Sequence, residues 1–112
     1  MTIDINEPRA ALLPLPVCAL LIAAWNLLEE ASDLPHPRHV SVSSSQSIDL
    51  QFSPGRSSYR AIARWAARFG GVVISSKPIE TEHGPRIYCR CEFDYYGLAV
   101  EAWAMIAADK AT

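Results

Sequence analysis

A spaced triplet of tryptophans limits the chain most. Ile22-Ala-Ala-Trp25, Ile62-Ala-Arg-Trp65 and Val100-Glu-Ala-Trp103 share a branched apolar residue three places before the indole, and the tryptophans stand 40 and then 38 positions apart. Two pairs of strand-like segments fall between them. Val40-Ser-Val-Ser-Ser44 is echoed by Val72-Val-Ile-Ser-Ser76, and Ile48-Asp-Leu-Gln-Phe52 by the apolar alternation of Ile87 to Phe93. A period near 40 with this content predicts a helix and a hairpin, used twice and closed by a last helix.

The expected fold is therefore α+β, with the element order αββαββα. Residues 1–15 read as an N-terminal arm, in which Ile3 and Ile5 alternate with polar neighbours as a short edge strand would. Residues 16–112 read as a single domain, which suits a chain of 112 residues. Half of the residues are hydrophobic and a fifth are charged, a composition able to bury a core without metal or disulfides.

Helix 1 is expected from Pro16 to about Ala31, because proline suits the first helical position. Its apolar residues, from Val17 to Leu28, cover nearly the whole circumference. Such a helix is buried on more than one side, or it is also a subunit interface. Glu29, Glu30 and Asp33 crowd its C-terminal end, where the helix dipole disfavours anions. Leu34-Pro-His-Pro-Arg-His39 then forms a stiff connector.

Two strands follow, at about 39–43 and 47–52. Helix 2 begins after Ser53-Pro54-Gly55, with Ser57 or Ser58 as its cap, and ends at Gly70-Gly71. Strand 3 covers about 72–76. A loop from Lys77 to Pro85 leads to strand 4 at 86–93, and helix 3 is expected from Tyr96 to Ala108, capped by Asp94. Alternation puts Val40, Val42, Ile48, Leu50, Phe52, Val72, Ile74, Ile87, Cys89, Cys91 and Phe93 on one face. These elements predict a four-stranded antiparallel sheet with helices on its apolar face and an open polar face. A parallel pairing at the junction of the repeats is also compatible with the pattern.

The charge is uneven. Arg56, Arg60, Arg64 and Arg68 recur every fourth residue along helix 2 and form one face, opposite Ile62, Trp65 and Phe69. No acid interrupts residues 53–71, so this segment carries +4 while the formal net charge of the chain is −2. Such a stripe is either a solvated face or a dock for an acidic partner, since the planar guanidinium binds carboxylate or phosphate through two donors. Arg86, Tyr88 and Arg90 on the open face of strand 4 extend the set of candidate partner-binding residues. An aromatic beside arginine on a sheet is also how single-strand binders stack bases. The chain has no helix-turn-helix or zinc-finger pattern, and its pI is about 5.9.

No cofactor, metal or catalytic residue is expected. Cys89 and Cys91 point inward from one strand as free thiols, and His36, His39 and His83 lack paired ligand knuckles. The acids near Asp94, Glu80 and Glu82 look like loop and cap residues, without a base and nucleophile held together. The odd cysteine count argues against a disulfide framework. No signal peptide or membrane span is read, and cytoplasm is the default compartment.

The sequence thus points to a small non-enzymatic binding or regulatory module acting through protein contacts, with a protein partner, including an acidic one, and a homodimer through helix 1. A nucleic-acid-binding accessory protein is the second reading, and a small enzyme the third.

Overall fold

The computed structural model describes residues 15–108. Most of the expected N-terminal arm, including Ile3 and Ile5, lies outside the described residues. Two helices and six strands follow in the order α1 (Val17–Glu30), β1 (His39–Ser43), β2 (Ser47–Gln51), α2 (Ser57–Phe69), β3 (Val72–Ser75), β4 (Ile79–Thr81), β5 (Gly84–Tyr95) and β6 (Leu98–Ala107).

The expected third helix is a strand. β6 enters the middle of a six-stranded mixed sheet ordered β1-β2-β6-β5-β3, and β4 also pairs with β5. β6 runs parallel to β2 and antiparallel to β5, so a four-stranded antiparallel sheet is not formed. The stretch Leu98–Ala107 is rich in good helix formers. Its pattern nevertheless has period two: Leu98, Val100, Ala102, Ala104 and Ile106 are all buried. Pairing on both sides satisfies the backbone and overrides local propensity. The link from β5 is a tight two-residue turn in which Tyr96 and Gly97 both have positive φ, 51° and 87°. This is the signature of a type I′ hairpin. Asp94, expected as a helix cap, instead accepts a hydrogen bond from the Gly97 amide at 3.1 Å.

The repeat dissolves with the third helix. Trp65 is fully buried under α2, and Trp25 is 65% exposed on α1. Trp103 is half-buried on β6, on the face turned away from the helices. The three indoles have unrelated surroundings, so their spacing is coincidental.

Both helices cover one face of the sheet. Leu20, Ala24 and Leu27 of α1 join Ile62 and Trp65 of α2 in one core with Ile48, Leu50, Cys89, Cys91, Phe93, Val100 and Ala102. Trp65, Phe69 and Phe93 stack within it, the last two rings 4.7 Å apart. Val40 and Val42 pair with Leu50 and Ile48 on the same face, as alternation requires. The assignment of β3 is inverted. Val73 pairs with Cys91 on the helix side, whereas Val72 and Ile74 stand opposite Glu92 and Arg90 on the open side. Three consecutive apolar residues carry no alternation, and the sharp turn at Gly70-Gly71 sets the register instead. Gly70 is left-handed, φ 86°, and closes α2 onto the Ala66 carbonyl. A Cβ on Gly71 would lie 2.7 Å from the Glu92 carbonyl oxygen, so only glycine lets the turn pass so close to β5.

α1 is not a central helix. Leu20 and Leu27 are fully buried, but Val17, Leu21, Ile22 and Trp25 are more than half exposed. The crowded acids at its end find partners: Tyr95 donates to Glu30 at 3.1 Å, and Arg68 binds Asp33. Among the described residues no helix is long and apolar enough to cross a membrane.

Candidate anion-binding cleft

α2 presents its arginines because its other face is fixed by Ala61, Ile62, Trp65 and Ala66 in the core. Neither Ser57 nor Ser58 caps it through its side chain; the Ser58 and Tyr59 amides instead donate to the Gly55 and Arg56 carbonyls, at 3.0 and 3.1 Å. Ser58 is buried, and its hydroxyl donates to the Ser53 carbonyl at 2.5 Å. That bond holds the Pro54-Gly55 turn against the helix start.

The four arginines have separate fates. Arg68 grips Asp33 with both terminal nitrogens, at 3.1 and 2.5 Å. Its hydrogen bond holds the Asp33 carboxyl below the usual carboxylate range. Arg64 reaches only the Asp33 backbone carbonyl, at 3.5 Å. Arg64 and Arg60 line a cavity of about 350 Å³ together with His36, Arg38, Ser53 and Ser57. Arg56 and Arg60 line a second groove on the other side of the helix, towards β3.

The first cavity is built by backbone anchors. The Trp65 indole donates to the Pro35 carbonyl at 2.7 Å, pinning the connector to α2. The Arg38 amide donates to the Gln51 carbonyl, also at 2.7 Å, pinning it to the end of β2. The connector therefore brings His36 and Arg38 across from Arg60 and Arg64. Among the described residues, no carboxylate lies within ion-pair distance of Arg38, Arg60 or Arg64. Three guanidinium groups and two serine hydroxyls offer donors to one space, and the start of α2 adds the positive end of a helix dipole. This donor set suits a carboxylate or a phosphate.

Arg86, Tyr88 and Arg90 are not part of that cleft. They lie on the opposite face of the sheet, where acids surround two of them. The Tyr88 hydroxyl donates to Glu101. Burial, with that bond, raises its pKa well above the usual tyrosine range. Arg90 pairs with Glu92 at 2.9 Å, approaches Glu101 at 3.9 Å and lies over the Tyr88 ring at 5.9 Å. Trp103 packs edge-on against Tyr88 and donates to both carboxylate oxygens of Asp49 at 3.0 Å. The continuous basic surface that would join α2 to this face is absent among the described residues.

The sequence pattern finds Arg60 and Arg64 but misses Arg38 and His36, whose role depends on the tertiary path of the connector. Its only sequence signal is the stiffness of Pro35-His36-Pro37. Asp49, Glu101 and Trp103 are missed because β6 reads as a helix. Among the described residues, no cluster of three or more His, Cys, Asp or Glu side chains could hold a metal. Compared with known proteins, the chain matches no family model, and no curated protein or solved structure matches it.

Proposed function

We propose that this chain is a non-enzymatic binding module that receives an acidic segment of a protein partner in the cleft between the 35–38 connector and α2. One observation carries the reading: Arg38, Arg60 and Arg64 meet around one cavity, and among the described residues none of them has a carboxylate within ion-pair distance. Guanidinium groups left in this way are predisposed to bidentate contacts with carboxylates. A protein partner is preferred to nucleic acid because the aromatic sheet face carries Asp49, Glu92 and Glu101, which repel phosphate. Cytoplasm suits the reading, since free cysteines persist in reducing compartments. The exposed apolar face of α1 is proposed as the contact for a second copy.

Fluorescence titration of a blocked glutamate-rich peptide against the whole chain tests the reading. Arg38→Gln with Arg60→Gln should weaken binding at least about tenfold, because charge-assisted hydrogen bonds are the strong ones. A single-stranded oligonucleotide bound more tightly than the peptide, with a steeper salt dependence, would favour the nucleic-acid reading instead.

A further inference from the structure

The second groove beside α2 points to how a partner segment is held. It has a volume of about 730 Å³ and is lined by Arg56, Ser57, Tyr59, Arg60, Ala63 and Val73. Its floor ends at β3, the edge strand of the sheet on this side. All four residues of β3 are exposed, with Val72 at 70% and Ile74 at 51%.

The register shows which backbone groups of β3 have no strand partner among the described residues. Val72 pairs with Glu92, Val73 with Cys91, Ile74 with Arg90 and Ser75 with Cys89. The Ser76 amide donates to the Tyr88 carbonyl, so the next pair in the ladder is a hydrogen-bonded one. Hydrogen-bonded and non-bonded pairs alternate in an antiparallel ladder. Ile74 and Val72 therefore bond to β5, while the N–H and C=O groups of Val73 and Ser75 point away from it. Four backbone groups thus face the groove side of the sheet, and Lys77-Pro78 ends the row.

We propose that β3 accepts an extended acidic peptide segment as an added antiparallel strand, seated against α2 and held at one end by Arg60. The inference rests on the proposed acidic partner and adds the mode of its recognition. β-Strand addition uses main-chain hydrogen bonds for affinity and side-chain contacts for selection. Alternate apolar side chains of the added strand cover Val73 and Ala63 on the helix side. Acidic residues belong at one end. Arg60 lies nine residues before the end of α2, about 13 Å back along the helix, and β3 returns about 10 Å from Val72 to Ser75. Arg60 is thus level with Ser75, so the acids sit at the N-terminal end of an antiparallel segment. Charge also selects the occupant over a second copy: two copies paired β3 to β3 would bring the Arg60-bearing groove of one against that of the other. Arg60 lines both cavities, so a segment leaving the groove can continue into the cleft of Arg38 and Arg64.

The probe is a blocked nonapeptide of alternating Val and Thr with two Glu at its N-terminal end, titrated into the intact chain and followed by amide hydrogen exchange. At saturation, exchange at Val73 and Ser75 should slow at least about tenfold, whereas Val72 and Ile74 are protected already. Ser75→Pro removes one outward donor at an edge position where proline is tolerated, and should weaken the peptide about tenfold with the far-ultraviolet spectrum unchanged. If the peptide binds through Arg60, lost in Arg60→Gln, while Val73 and Ser75 exchange as before, strand addition is wrong and the acidic dock survives. If a peptide without the Glu pair binds equally well and protects β3, the acidic dock is wrong. No binding of either peptide overturns both.

Discussion

Trp65 and Pro35 are thirty residues apart, and the indole nitrogen of one lies 2.7 Å from the carbonyl oxygen of the other. This bond ties the stiff connector to α2, and one wall of the basic cleft depends on it. Trp65→Phe should remove the donor and leave a void in a fully buried site. We expect a loss of about 2–3 kcal/mol, read from the urea midpoint. The variant should also bind acidic peptide less tightly than its stability alone predicts, because His36 and Arg38 are no longer held across from Arg60.

The arginines of the cleft contribute little to folding. Arg60→Gln with Arg64→Gln should change stability by less than about 1 kcal/mol, since exposed substitutions usually stay within ±0.5 each. Unfolding of the double variant would show that the two side chains belong to a stabilising network.

The thiols should divide into two classes. Cys18 is exposed, and Cys89 and Cys91 are fully buried. Burial also pushes the Cys91 thiol up to about 11, which lowers its reactive thiolate fraction. One thiol should therefore react quickly with a labelling reagent in the native state, and two more only after denaturant is added. Fast labelling of all three would contradict the packing of β5.

Alkaline pH should destabilise the fold. Burial raises Cys91, and burial with the Glu30 contact raises Tyr95 to about 12, from ordinary values of 9.0 and 10.0. Tyr88 shifts in the same direction. Each folded-state pKa lies above its unfolded value, so the unfolded chain loses its protons first as pH rises. The stability these groups contribute is complete below about pH 9 and is lost between about 9 and 12. Urea midpoints across that range should fall, and Tyr95→Phe should flatten the decline above pH 10. A midpoint independent of pH up to 12 would show these groups to be solvated.

The outer face of α1 should join two copies. Val17, Leu21, Ile22 and Trp25 form an exposed apolar patch, and such patches commonly mark interfaces. Light scattering at micromolar concentration should give about twice the chain mass of 12.3 kDa. Trp25→Glu should return the monomer without unfolding it, since Trp25 lies outside the core. A monomer in the unaltered chain would refute the proposed contact.

The legibility of this chain varied with how far each pattern depended on its own residues. α2 was readable because Ile62 and Trp65 stand opposite a regular arginine face, and because Gly70-Gly71 supplies its stop. β5 was readable from the alternation of Ile87, Cys89, Cys91 and Phe93. β6 was not, because alanine stands on both of its faces and hides the period of two. Its companions Leu98, Glu101 and Met105 are good helix formers, and Tyr96-Gly97 is an unusual pair for a hairpin turn. The cleft was half readable. The stripe on α2 announced Arg60 and Arg64, but nothing local to residues 35–38 says that Arg38 will face them. That proximity is made by hydrogen bonds to Pro35 and from Arg38, which join parts of the chain distant in sequence.

The central place of β6 also governs the order in which this protein can be assembled. β2 pairs in parallel with a strand whose matching residues lie 52 positions later, Ser47 with Ala99 and Gln51 with Trp103. Until that stretch arrives, β2 and β5 each present an unsatisfied edge, and the helices have no finished sheet to cover. Contacts of such long range are slow to form because chain closure must precede any gain. On a ribosome β1, β2 and α2 would wait, exposed and prone to the wrong pairing, until β6 closes between β2 and β5.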